Sequence, residues 1–128
     1  MPTFFKSNYI TIDYDKINHV IIHTWLVPPS SDEFREGLNS LIPAMEHFKT
    51  GKIITDTTHM GIIHSDDQKW AVTDWRQRAL KVGYSRLGII IPADVFTRMS
   101  MEETIGRTVN QVPIAYFENT EDATYWIK

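Results

Sequence analysis

The sequence predicts one α/β domain over residues 1–128 with element order ββαβαβαβα. The expected sheet is mixed and four- to five-stranded, with helices mainly on one face. Three observations carry this. Short β-branched runs alternate with segments of helical period along most of the chain. The first two runs sit too close together for a crossover, so they pair antiparallel. The later runs are separated by helix-length segments, which demands crossovers and hence largely parallel strands.

Tyr9, Ile10 and Ile12 begin the first strand, and Asp13–Lys16 turn the chain. Ile17–Val27, with Val20, Ile21, Ile22 and Trp25, form the second. Pro28–Pro29 ends it, because neither ring donates a ladder hydrogen bond. Ser30 with Glu33 is a capping-box pair, and Phe34, Leu38, Leu41, Ile42, Met45 and Phe48 follow at helical spacing. Pro43 should split that helix near Leu41, and Gly51 should cap its end. Ile53–Asp56 reads as a buried strand. Ser65 with Gln68 is a second capping pair, opening a helix that carries Trp70, Val72, Trp75, Ala79 and Val82 and stops at Gly83. Arg86–Ile91 is a strand closed by Pro92, and residues 94–110 read as helical with a break at Ser100, which pairs with Glu103. Val112–Phe117 is the last strand, and Asn119 caps a final helix with Ala123, Trp126 and Ile127.

Composition narrows the function classes. Hydrophobic residues make up 42% of the chain, enough for a packed core. The formal charge of −3 and scattered cations argue against a nucleic-acid binder. The absence of cysteine excludes disulfides, thiolate catalysis and zinc–cysteine sites. No signal pattern and no membrane-length apolar run is present, so a cytoplasmic protein without membrane insertion is expected. No G-x-S-x-G, Walker or G-x-G-x-x-G pattern occurs, and no cofactor is expected.

The chemistry-bearing stretch is Gly51–Trp70, GKIITDTTHMGIIHSDDQKW. Its strand stops at Asp56, a polar turn Thr57-Thr58-His59 follows, and Ile62-Ile63-His64 leads to Ser65 at a helix start. α/β domains place ligands at the carboxyl ends of such strands.

Ile54-Thr55-Asp56 and Ile62-Ile63-His64-Ser65, together with the ending Phe117-Glu118-Asn119, Ala123 and Trp126-Ile127, resemble the SpoIIAA-like branch of the STAS superfamily, the sulfate transporter and anti-sigma antagonist domains. The likeness covers nearly the whole chain. It implies a small bacterial regulatory domain, and it places Ser65 where antagonists carry a phosphorylated serine. His64 stands where that motif has Asp, and Asp66 and Asp67 replace small residues. A phosphate at Ser65 would meet both carboxylates, at a cost of about 1 kcal/mol each. Ser65 is therefore expected to serve as an N-cap only.

The favoured reading is a non-enzymatic regulatory or protein-binding module. Its partner or ligand surface is expected at Asp56, Thr57, Thr58, His59, His64 and Ser65, flanked by His23, Trp25 and Trp70. The alternative is a carrier of a small apolar or lipid-like ligand held under Trp25 and Trp70. Relatives grouped with the branch include lipid-transfer-like domains. A third reading is a metal-dependent hydrolase on Asp56, His59 and His64, but His-x4-His in a loop matches no metal motif. His23 and Trp25 share one strand face. Trp70 and Trp75, five residues apart, differ by about 140° around an α-helix, so they should not face one core centre. A one-sided helix layer would leave sheet surface open, which favours a homodimer.

Overall fold

The computed structural model describes residues 1–98, 107–109 and 112–128. These residues form one mixed sheet of seven strands. The strands are β1 (Thr3–Lys6), β2 (Ile10–Asp15), β3 (Val20–Trp25), β4 (Lys52–Asp56), β5 (Arg86–Ile90), β6 (Arg107–Val109) and β7 (Val112–Phe117), in spatial order β1-β2-β3-β4-β5-β7-β6. β1 to β3 form an antiparallel meander, β3, β4, β5 and β7 run parallel, and β6 returns antiparallel on β7.

The sheet exceeds the expected four to five strands at both edges. β1 has four residues and β6 three, too few for an alternation pattern to stand out, and both are edge strands stabilised by pairing with a longer neighbour. The helix expected over 94–110 is confined at its start to α5 (Ala93–Arg98), and 107–109 is strand. The expected break and capping pair at Ser100 and Glu103 lie outside the described residues.

Each parallel step moves to the next position in the sheet, from β3 to β4 to β5. Right-handed crossovers that keep stepping one way place their helices on one face. The first crossover is α1 (Ser31–Asn39) and α2 (Leu41–Phe48). Ser30 caps α1 with a complete capping box: Glu33 N–H donates to Ser30 Oγ (3.2 Å), and Ser30 N–H donates to Glu33 Oε1 (2.9 Å). The helix divides at Ser40, which leaves Pro43 in the first turn of α2, where no N–H is required. α2 ends on Lys49, whose φ of 57° takes the left-handed cap expected of Gly51. Gly51 is needed for another reason: a Cβ there would stand 1.7 Å from the Gly83 carbonyl oxygen. The backbones of the two crossover loops touch at that point, and Ser85 N–H donates to Gly51 O (2.9 Å).

The second crossover is one rod made of α3 (Ser65–Trp70), a π-helical turn (Ala71–Trp75) and α4 (Arg76–Lys81). These helices bury Leu41, Ala44, Met45, Trp75 and Ala79 against Ile12, Ile21 and Ile53. A second cluster of Tyr9, Ile10, Trp25 and Phe34 closes the end of this face near α1. The opposite face is covered by the last helix, α6 (Thr120–Ile127), capped by Asn119 as expected, with Asp122 N–H donating to Oδ1 (2.8 Å). Ala123 and Ile127 of α6 pack on Val20, Ile54 and Ile90. Over β4 and β5 this removes the open sheet surface on which the homodimer expectation rested.

Candidate functional site

β4 delivers its carboxyl end to a short, tightly bonded loop. Asp56 Oδ1 accepts from Thr58 N–H (3.0 Å) and Thr58 Oγ1 (2.6 Å), a local turn that competes with strand continuation. The Thr57 N–H and hydroxyl both donate to Ile90 O on β5, at 2.9 and 2.7 Å. Met60 N–H donates back to Thr57 O (3.1 Å). Gly61, at φ 74°, turns the chain beside Pro28. Met60 and Ile63 then face inward onto the Tyr9, Ile10, Trp25 and Phe34 cluster. Ile62, between them in the chain, is 99% exposed.

The α3 start differs from the sequence expectation. The cap is His64, whose Nδ1 accepts from Asp66 N–H (3.2 Å), and Ser65 is the first helical residue. Gln68 explains the shift. Its side-chain amide donates to Ile63 O (2.9 Å) instead of reaching back to the backbone of Ser65. Ser65 and His59 are exposed.

The polar group that organises this end is one the sequence reading assigned no structural role. Asp67 is 4% exposed and accepts from Ser31 Oγ (2.8 Å) and Arg35 Nε (2.9 Å), both on α1. Those hydrogen bonds, Ser31 first and then Arg35, hold its carboxyl below the usual carboxylate range. Arg35 also lies over the Trp70 ring, 5.1 Å from its centroid, with Arg78 at 5.7 Å. An open cleft of about 470 Å3 lies above this network between α1 and the loop, lined among others by Ser31, Arg35, Ile62, His64 and Asp66. Nothing in the sequence spacing separates a buried Asp67 from an exposed Asp66; only the approach of α1 does.

His23 and Trp25 are on one face as expected, with ring centroids 5.1 Å apart, and both are buried. Trp25 fills its space. Its Cη2 lies where a Cβ on Gly37 would be only 2.7 Å away, so glycine lets α1 settle on the sheet. This close approach also lets His23 reach the helix. His23 Nε2 lies 3.2 Å from Gly37 O and Nδ1 lies 2.9 Å from Thr55 Oγ1. A carbonyl only accepts, so Nε2 carries the proton and Nδ1 accepts from the threonine. Burial pushes the imidazole down to about 3, leaving it neutral.

The free volume under the tryptophans is not beneath Trp25 and Trp70. It is an apolar cavity of about 140 Å3 beneath Trp75 and the π-helical turn, with His23 and Thr55 on its wall. Trp75 donates its indole N–H to Leu38 O (2.7 Å). Trp70 and Trp75 reach the same core cluster after all. The i→i+5 turn between them brings residues five apart closer to one azimuth than an α-helix does. Arg76 also lines this cavity, and its Nε is buried without a hydrogen-bond partner.

Asp56, Thr57, Thr58, His59, His64 and Ser65 therefore form one continuous rim. His23 and Trp25 lie inside, and Trp70 is half-buried between. Among the described residues, no three histidines and carboxylates converge in a way that could hold a metal ion, and no helix is long and apolar enough to cross a membrane. No protein-family model matches the chain, and neither a curated protein nor a solved structure is significantly similar to it.

Proposed function

We propose that this chain is a non-enzymatic regulatory or protein-binding module, STAS-like in its plan, that works through the rim at the carboxyl ends of β3 and β4. One observation carries the reading: Ile62 is fully exposed on a loop whose neighbours on both sides are anchored. A large apolar side chain held out on an ordered loop supports contact with a partner, because its burial is the gain that association offers. Leu26 and Val27, 38% and 44% exposed, end β3 beside Pro28, on which the Gly61 turn rests. The acids Asp66, Asp32 and Glu33 stand around the same end. The partner surface that fits is an apolar pocket with a basic margin.

The test is quantitative proximity labelling in the native host with wild type, Ile62→Asp and Ile17→Asp. Ile17, 93% exposed in the β2–β3 turn, controls for loss of any exposed isoleucine. Partners lost with Ile62→Asp and retained with Ile17→Asp support the rim. An identical partner set for all three chains defeats it.

A further inference from the structure

We infer that the cavity beneath the π-helical turn binds a small apolar molecule, about the size of benzene, that carries one anionic or acceptor oxygen, such as an aromatic or branched short-chain carboxylate. This site is separate from the rim and does not depend on the rim's role.

Size sets the first limit. At about 140 Å3 the cavity matches apolar cavities that accept a benzene-sized guest, and it excludes a long acyl chain. Its walls include Leu38, Leu41, Ile53, Leu87 and Ile114, which give the body of such a guest only apolar contacts.

Two wall residues break that apolar lining. The Arg76 Nε–H is buried with no partner, although another guanidinium nitrogen donates to Val72 O. Buried donors are almost always paired, so an unpaired guanidinium N–H marks a place for an acceptor. Tyr84, itself 6% exposed, lines the same cavity and hydrogen-bonds to no described side chain. The remaining polar wall groups are occupied: His23 Nε2–H goes to Gly37 O, and the Thr55 hydroxyl goes to His23 Nδ1. Donors are therefore in excess, and the complementary ligand group is an oxygen acceptor, best satisfied by a carboxylate on arginine.

The backbone gives the site access. The π-helical turn contributes Ala71, Val72 and Trp75 to the wall, and such turns recur where helices carry ligands. Val72 is 51% exposed, so this wall is a single side chain thick.

The experiment is an NMR titration of the whole chain with benzoate and, separately, toluene, following the Trp75 indole N–H, with calorimetry in parallel. Saturable benzoate shifts at Trp75 are expected, with affinity about tenfold or more above that for toluene. Arg76→Gln should erase that preference and leave toluene binding intact. Ala71→Leu should block both. No shift at Trp75 up to about 10 mM benzoate in the wild type overturns the site. Equal benzoate affinity in Arg76→Gln overturns the assignment of the acceptor to Arg76. The wild-type titration decides alone if Ala71→Leu does not fold.

Discussion

On the face covered by α6, the buried residues Val20, Ile54, Ile90, Ala123 and Ile127 close on one another with no polar side chain among them. On the face covered by α1 to α4, a buried histidine, an arginine nitrogen and a cavity are enclosed with the aliphatic residues. The same strands serve both faces, since β4 sends Ile53 to one and Ile54 to the other. A face that only stabilises can be closed with apolar residues alone. A face that keeps polar groups and free volume gives up packing contacts, and that departure is where to look for work beyond folding.

Truncating the two β4 neighbours is the strongest way to break this contrast. Ile54→Ala and Ile53→Ala should each cost about 2–5 kcal/mol. Ile54→Ala should cost more by about 1 kcal/mol, because Ile53 already borders a void and has fewer contacts to lose. Urea denaturation of both variants checks this, and equal midpoints would remove the asymmetry.

Acid should act through one face only. The His23 imidazole lies at about 3 in the folded chain because of burial, below its unfolded value of about 6.5. On acidification the unfolded chain takes the proton first. The contribution of neutral His23 is thus complete above about pH 6.5 and drains as pH falls toward 3, by at most about 1.4 kcal/mol per pH unit. Asp67 has a lowered value, so its contribution stays in place until pH falls below the ordinary carboxylate range. Comparing pH 7 with pH 5 therefore isolates His23. The wild type should lose stability over that interval and His23→Gln should not; parallel losses would refute the assignment.

Gly37→Ala probes the close approach of α1. The new Cβ would meet Trp25 Cη2 at 2.7 Å and Ile10 Cδ1 at 3.0 Å, and Trp25 is fully buried. A loss of about 1–3 kcal/mol is expected, despite alanine's better helix propensity. A rise in melting temperature would show that α1 can lift off the sheet. Ile62→Asp should be the mildest on stability, within about 0.5 kcal/mol, because its side chain touches only solvent.

Where elements were long and capped by side chains, the residues predicted them. Ser30 with Glu33, Asn119 and the Pro43 division appear as expected, because each rests on a hydrogen bond or a missing donor within four residues in sequence. The losses share one cause, which is dependence on a distant partner. β1 exists because Phe5 and Lys6 pair with Ile12 and Thr11. His64 displaced Ser65 as cap once Gln68 turned to Ile63. Of the candidate site, the rim was visible because it is one stretch of chain. The burial of Asp67 needs α1, and the cavity needs both β-sheet register and a π-helical turn that no residue pattern announced.

That turn has a consequence for how the chain can change. One surplus residue within Ala71–Trp75 lets Trp70 and Trp75 meet the same core, and Ala79 sits completely buried downstream. Excising any one residue there would restore an ordinary helix and swing everything after it by about 100°. Ala79 would be carried out of the interior and Arg76 away from the enclosed volume. Lineages of this chain can therefore trade side chains in the rod freely, yet they are locked to its residue count.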